Sequence, residues 1–159
     1  MDKKKIICTI EARMGSKRLP GKSLKKLDKD NTLIDYVIKN VLNSSYFFNN
    51  NTYFLTSKNN NNKSLIRHIK KKYSIKLILG SESDVFSRYL KFKNQRNFAI
   101  LRLTGDNPMI DPILIDRFVK IFINKKIDYM TTRGMCHSKN WNVNSSFPKG
   151  ISLEAFYSK

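Results

Sequence analysis

The chain has 159 residues, 40% of them hydrophobic, which suits one domain with a real core. No apolar run approaches the roughly 20 residues of a membrane span, and the stretch Ile6–Ile10 behind the basic start is too short for a signal peptide. The formal charge of +19 invites a nucleic-acid reading, but only 8 of the 31 basic residues are arginine, and Lys, Asn and Ile together supply 57 of the 159 residues.

The basic excess, with tracts such as Asn59–Asn62 and Lys70–Lys72, therefore reads as compositional drift that still favours a small polyanion such as a nucleoside triphosphate. Cys8 and Cys136 stand far apart and outside any C-x-x-C spacing. Neither a zinc site nor a disulfide framework is suggested, Cys8 reads as core, and a reducing cytoplasmic location is expected.

Ile6–Ile10 is an apolar, β-branched run without polar alternation, as in a central parallel strand covered on both faces. After a basic loop, Leu33, Ile34, Val37, Ile38, Val41 and Leu42 fall at helical spacing behind Asn31 or Thr32 as cap. Thr52–Thr56 reads as a strand, Lys63–Tyr73 as an amphipathic helix and Ile75–Leu79 as a third strand. Asp84–Phe92 suits a helix opened by Ser83, Phe98–Leu103 a buried strand, Pro112–Ile123 a helix capped by Asp111, and Asp128–Thr132 a further strand. Residues 131–149 are irregular and polar and read as an excursion over the site or toward a partner.

This series predicts one α/β domain over 1–159: an open, mostly parallel sheet with helices on both faces. Its ligand mouth lies in the loops after Ile10, Thr56, Leu79 and Leu103, beyond the carboxyl ends of the strands.

The loop from Glu11 to Lys22 carries four cations and two glycines directly after the first strand. Gly15 and Gly21 let backbone approach an anion, and Arg13, Arg18 and Lys22 offer charge-assisted contacts to phosphate oxygens. Gly21-Lys22-Ser23 is not the end of a P-loop, because the first glycine of that motif would fall at Ser16. The alternative, a solvated basic loop, is the weaker reading at this position in a sheet.

The run Ala12-Arg13-Met14-Gly15-Ser16-Lys17-Arg18-Leu19-Pro20-Gly21-Lys22 resembles the signature of the sugar cytidylyltransferases. These include the acylneuraminate and deoxy-manno-octulosonate enzymes and, nearest, the spore-coat polysaccharide biosynthesis type. The resemblance continues through Leu55-Thr56-Ser57, Gly80-Ser81-Glu82-Ser83-Asp84-Val85 with Arg88-Tyr89, and Arg102 to Pro112. Sugar-1-phosphate uridylyl- and guanylyltransferases are less similar, since their first loop begins with a glycine pair where this chain has Glu11 and Ala12.

The resemblance implies a Rossmann-like nucleotide-diphospho-sugar transferase fold and transfer of CMP from CTP to an acidic or unusual sugar. It implies Mg²⁺ as cofactor, pyrophosphate as leaving group and a role in surface polysaccharide synthesis. The expected partners are CTP and a sugar, without nucleic acid or membrane and with a possible homodimer.

On that footing the backbone of Ala12, Arg13, Met14, Gly15 and Ser16 cradles the triphosphate, and Arg13, Arg18 and Lys22 stabilise it, with Arg13 and Lys22 catalytic. Asp106 has two readings, a Mg²⁺ ligand and second catalytic partner as the resemblance implies, or a cap for the turn before Pro108. Ser57, Ser81, Asp84 and Arg88 border the expected base and ribose pocket, with local capping or ion pairing an equal alternative. His137 reads as solvated rather than as a general base, His68 as surface, and Trp141 and Phe147 as sugar pocket, dimer contact or core.

In the stretch 148–156, Ser152 stands where the nearest relatives carry Asp, while Glu154 is kept. The end at Lys159 precedes a segment that the resemblance implies should return to the sheet with a second metal-binding carboxylate, so the domain reads as incomplete there. Two rival readings follow, a basic nucleic-acid-binding module and a non-catalytic nucleotide-binding remnant.

Overall fold

The computed structural model describes residues 6–92, 99–125, 127–132 and 153–157. Among these residues six strands form one sheet in the order β3-β2-β1-β4-β6-β5. They are β1 (Ile6–Glu11), β2 (Thr52–Ser57), β3 (Lys76–Gly80), β4 (Ala99–Thr104), β5 (Tyr129–Thr131) and β6 (Leu153–Tyr157). Pairing of β1 with β2 and β4, and of β2 with β3, is parallel, whereas β6 runs antiparallel between β4 and β5. The strand order reverses beside β1: β2 and β3 build outward on one side and β4 starts the other. The expected open, mostly parallel α/β sheet is thus present, and its switch point lies between β1 and β4.

Alternation along the strands splits the core into two layers. Cys8 and Ile10 of β1, with Leu101 and Leu103 of β4, face helices α1 (Leu33–Leu42), α2 (Lys63–Lys72) and α4 (Pro112–Lys125) in the larger layer. Ile7 and Ile100 face the opposite way, onto Tyr89 and Phe92 beside the short helix α3 (Phe86–Tyr89).

Helix α1 forms where the periodicity requires it. Ile34, Val37, Ile38 and Val41 are fully buried, each worth about 1.5–3 kcal/mol against exposure. Thr32 and Asp35 close its start as a reciprocal capping box. Asp111 caps α4, its Oδ1 accepting the Ile113 N–H at 2.7 Å, and Cys8 is fully buried as read. No helix among the described residues is long and apolar enough to cross a membrane.

Three elements differ from expectation. The helix expected over Asp84–Phe92 is confined to Phe86–Tyr89, followed by a 3-10 turn at Leu90–Phe92. Its start is held by Asp84 rather than Ser83, because the Asp84 carboxylate accepts the Ser87 N–H. His68 is not simply a surface residue: its Nε2 lies 2.8 Å from Oδ1 of Asp35, a side chain with no solvent exposure, and Lys72 Nζ reaches the other carboxylate oxygen at 2.9 Å.

The tract Asn59–Asn62 is likewise structure rather than drift. The Asn59 side chain accepts from the Asn61 N–H, and Asn62 is buried at the head of α2. Cys136, His137, Trp141, Phe147, Pro148 and Ser152 lie outside the described residues.

Candidate active site

The loop after β1 is built around one carbonyl. Met14 O accepts the N–H groups of Ser16 at 3.0 Å and Gly21 at 2.9 Å, which folds the segment back on itself. Gly21 sits at φ 71°, the left-handed region that glycine enters without Cβ strain, so the chain turns there into a 3-10 turn at Lys22–Leu24. The Ser23 hydroxyl donates to the Arg13 carbonyl and closes the loop from its other side.

Asn62, absent from the expected site, anchors this loop to the rest of the sheet edge. Its Oδ1 accepts the Met14 N–H at 2.8 Å and its Nδ2 donates to Ser57 Oγ at 2.6 Å. The usable signal was weak: a single asparagine inside a run of four, ahead of a helix.

These bonds divide the loop amides. Ala12, Met14 and Ser16 donate to Leu55 O, Asn62 Oδ1 and Met14 O, whereas the alternate N–H groups of Arg13, Gly15 and Lys17 have no protein acceptor among the described residues. Gly15 and the side chains of Lys17 and Arg18 are exposed, and Arg13 is about half so. Unpaired amides beside cations are the chemistry that an anion would use.

The loop after β4 meets it across the switch point. The Gly105 N–H donates to Glu11 O at 2.6 Å, and a Cβ on Gly105 would lie 2.7 Å from Ala12 Cβ, so only glycine permits this approach. The next residue, Asp106, then faces the basic loop, and Lys22 Nζ donates to its Oδ2 at 2.6 Å. Partial burial pushes the Asp106 carboxyl up, but hydrogen bonds from Lys22 and Thr104 and the Lys22 charge outweigh it and hold the group below the ordinary carboxylate value. The carboxylate is therefore ionised at neutral pH and partly open to solvent. Mg²⁺ usually takes one or two carboxylates together with substrate phosphates, and a single Asp106 suits that demand. No cluster of three or more His, Cys, Asp or Glu side chains forms a ready-made metal cage among the described residues.

The other expected residues lie at the end of β2 and in the segment from the end of β3 into α3, and each has a local partner. Ser57 is buried, with its Oγ between Asn62 and Glu82. Ser81 Oγ accepts the Asp84 N–H. Arg88 is almost fully buried, giving Nη2 to the Ser81 carbonyl at 2.6 Å and placing Nη1 3.8 Å from Glu11. Glu11 also pairs with Arg102, whose Nη1 donates to Glu154 on the neighbouring strand at 2.6 Å. Beside these, Lys58, Asn59, Gly80, Ser81 and Glu82 line an open surface depression of about 480 Å³.

A cation-framed loop after the first strand thus faces a carboxylate after the fourth where strand order reverses, the place where open α/β sheets hold their ligands. The chain belongs to the cytidylyltransferase family, whose model matches residues 7–146. It is 35% identical over 126 residues to the spore coat polysaccharide biosynthesis protein SpsF of Bacillus subtilis, a match covering 78% of this chain and 52% of that protein.

Among solved structures, a cytidylyltransferase from Leptospira borgpetersenii matches with a TM-score of 0.78 at 29% identity, over 97% of this chain and 60% of that one. A CMP:2-keto-3-deoxy-manno-octonic acid synthetase complexed with CTP shares the fold, with a TM-score of 0.63 at 17% identity, covering 97% and 74% of the two chains. The chain spans about half the length of SpsF.

Proposed function

We propose that this chain binds CTP and transfers CMP to the hydroxyl of an acidic or unusual sugar, releasing pyrophosphate, in the synthesis of surface polysaccharide. The observation that carries the reading is the meeting of Lys22 and Asp106 at the switch point, in a chain of the cytidylyltransferase family. The amides of Arg13, Gly15 and Lys17 would receive the triphosphate, with the side chains of Arg13, Arg18 and Lys22 around it. Ser16 shapes the loop, its Oγ accepting the Leu19 N–H.

The sugar oxygen forms a bond to the α-phosphorus, the bond from that phosphorus to the bridging oxygen of the β-phosphate breaks, and the hydroxyl proton is released. Charge accumulates on the departing pyrophosphate, where Lys22, already directed at this point by Asp106, neutralises it. Asp106 would hold Mg²⁺, which supplies further positive charge against the phosphate oxygens. Ser57, Ser81, Asp84 and Arg88 would act by shaping the wall of the nucleoside cavity.

The test is pyrophosphate release from CTP with Mg²⁺ and a panel of nonulosonic and other sugars. Release that depends on one sugar and on CTP supports the reading. No release with any sugar, together with no saturable CTP binding, overturns it. Salt-sensitive binding to any polynucleotide in place of CTP would instead favour a basic nucleic-acid module.

A further inference from the structure

Helix α2 carries two faces of opposite chemistry. Leu65 and Ile69 are buried in the core, and beside them His68 and Lys72 turn to the carboxylate of Asp35. Lys63, Arg67, Lys70 and Lys71 stand on the other side, at the i, i+4, i+7 and i+8 spacing of one helix face, and all four are exposed. At 1.5 Å per residue they form a stripe about 12 Å long. None of the four has an ion-pair partner among the described residues. The fold thus sorts the Lys70–Lys72 tract, holding one lysine at Asp35 and presenting two outward.

This arrangement opposes the stability of the helix that carries it. Like charges three and four residues apart repel, as Arg67 does with Lys63, Lys70 and Lys71. The first turn of α2 has no acidic residue, although the helix dipole favours one where Lys63 stands. The chain's own carboxylates bring no relief: Asp35 closes the capping box of α1, and Glu11, Glu82 and Asp106 pair with Arg102, Arg13 and Lys22. An anion from outside the chain would offset both effects.

What lies among the cations narrows its nature. Ile66, half-buried, lines an open surface depression of about 480 Å³ together with the same four residues, whose aliphatic stems cover apolar groups beneath their charged ends. A bilayer calls for large apolar side chains projecting from the helix, and none of the exposed large hydrophobic residues among those described lies on α2. Nucleic acid favours arginine and aromatic rings on which bases stack, whereas this face has one arginine and no Phe, Tyr or Trp. A second copy of the chain would bring its own charge of +19. A protein segment with carboxylates at helical spacing and an apolar side chain between them matches the sign, the spacing and the apolar lining together.

We propose that the outer face of α2 is a docking surface for an acidic segment of a partner protein, with Lys63, Arg67, Lys70 and Lys71 meeting its carboxylates and Ile66 meeting an apolar side chain among them. The surface uses none of the groups assigned to the nucleotide, so it stands independently of the reaction.

The probe is a fluorescent synthetic helical peptide with glutamates along one face and a leucine among them, titrated into the full chain and read by anisotropy. Binding should be saturable and weaken as salt rises. Combining Lys63→Gln, Arg67→Gln, Lys70→Gln and Lys71→Gln should reduce affinity about tenfold or more, since four surface pairs are lost together. Combining Lys25→Gln, Lys29→Gln, Lys120→Gln and Lys125→Gln removes the same charge from other exposed positions and should change affinity by less than about threefold. Melting curves check the folding of each variant. Acetylation of the wild-type chain gives a reading that needs no variant: bound peptide should shield Lys63, Lys70 and Lys71 more than Lys25 and Lys120. Equal losses in the two combined variants, absence of saturable binding, equal shielding of all these lysines, or tighter binding of polyuridylate or phosphatidylserine vesicles than of the peptide overturns the proposal.

Discussion

Lys22 Nζ and Asp106 Oδ2 lie 2.6 Å apart although 84 residues separate them in the chain. One belongs to the loop after β1 and the other to the loop after β4, and the parallel register of Glu11 with Thr104 brings the two loops level. With the lysine 24% and the aspartate 43% exposed, the pair is a surface contact that adds little to folding, about 0–1 kcal/mol once solvent screening is counted. Its value lies in aiming both groups at one point.

Lys22→Ala should therefore leave thermal stability nearly unchanged while reducing pyrophosphate release by about 10²- to 10³-fold, the usual effect of removing one group that stabilises transition-state charge. Asp106→Asn should also fold, and its nucleotide affinity should stop responding to Mg²⁺. Melting curves and titrations with and without the metal separate these outcomes from simple unfolding.

Gly105→Ala should harm both folding and binding. The added Cβ meets Ala12 Cβ and Ile34 Cδ1, each at 2.7 Å, and Glu11 O at 3.0 Å. The isoleucine tip can move, but the strand carbonyl and the loop alanine can do so only by parting β1 from the loop after β4. A loss of about 1–3 kcal/mol is expected in denaturant titration, with weaker nucleotide binding because Asp106 moves relative to Lys22.

Asn62→Ala should cost about 1–3 kcal/mol by leaving buried groups unpaired. It should also loosen the phosphate loop, since Met14 N–H loses its acceptor. Asn62→Asp discriminates between the two roles: an aspartate still accepts from Met14 but cannot donate to Ser57. Faster hydrogen exchange at Met14 in the alanine variant than in the aspartate variant is the readout.

Asp35 makes stability depend on acid. Burial raises its carboxyl pKa, but bonds from Thr32, Tyr73, His68 and Lys72 outweigh that and hold it well below the ordinary value near 3.8. A folded value below the unfolded one means the unfolded chain binds more protons between the two. This contribution is therefore complete above about pH 4 and is lost as pH falls further. Asp35→Asn should melt lower than wild type at neutral pH, and the difference should shrink on acidification from pH 4 downward.

Much of the fold was legible because its signals are local. The Ile6–Ile10 run, the spacing of Ile34, Val37, Ile38 and Val41, and Asp111 before Pro112 each report their own surroundings within a turn or a strand. The charge and glycine content of the loop from Ala12 to Lys22 are what suggest phosphate chemistry there. Asp84–Phe92 was overextended because its apolar residues fit a helix, whereas the Ser87–Asp84 contact begins the helix later and a 3-10 turn ends it early.

What the sequence determined by itself was the order of elements, the position of a basic, glycine-containing loop after the first strand and, through the motifs, the family. The tertiary structure alone decided which of those residues share a site. Only there does β6 enter antiparallel between β4 and β5, pairing Glu154 with Arg102. Only there does Arg88 turn inward to Ser81 and Glu11, Asn62 hold Met14, and Glu82 accept from Asn59 and Ser57. The physical reason is that these contacts join segments distant along the chain: a hydrogen bond from Met14 to Asn62 leaves no mark on the periodicity of either segment, and exists only once parallel pairing of β1 with β2 has brought their ends together.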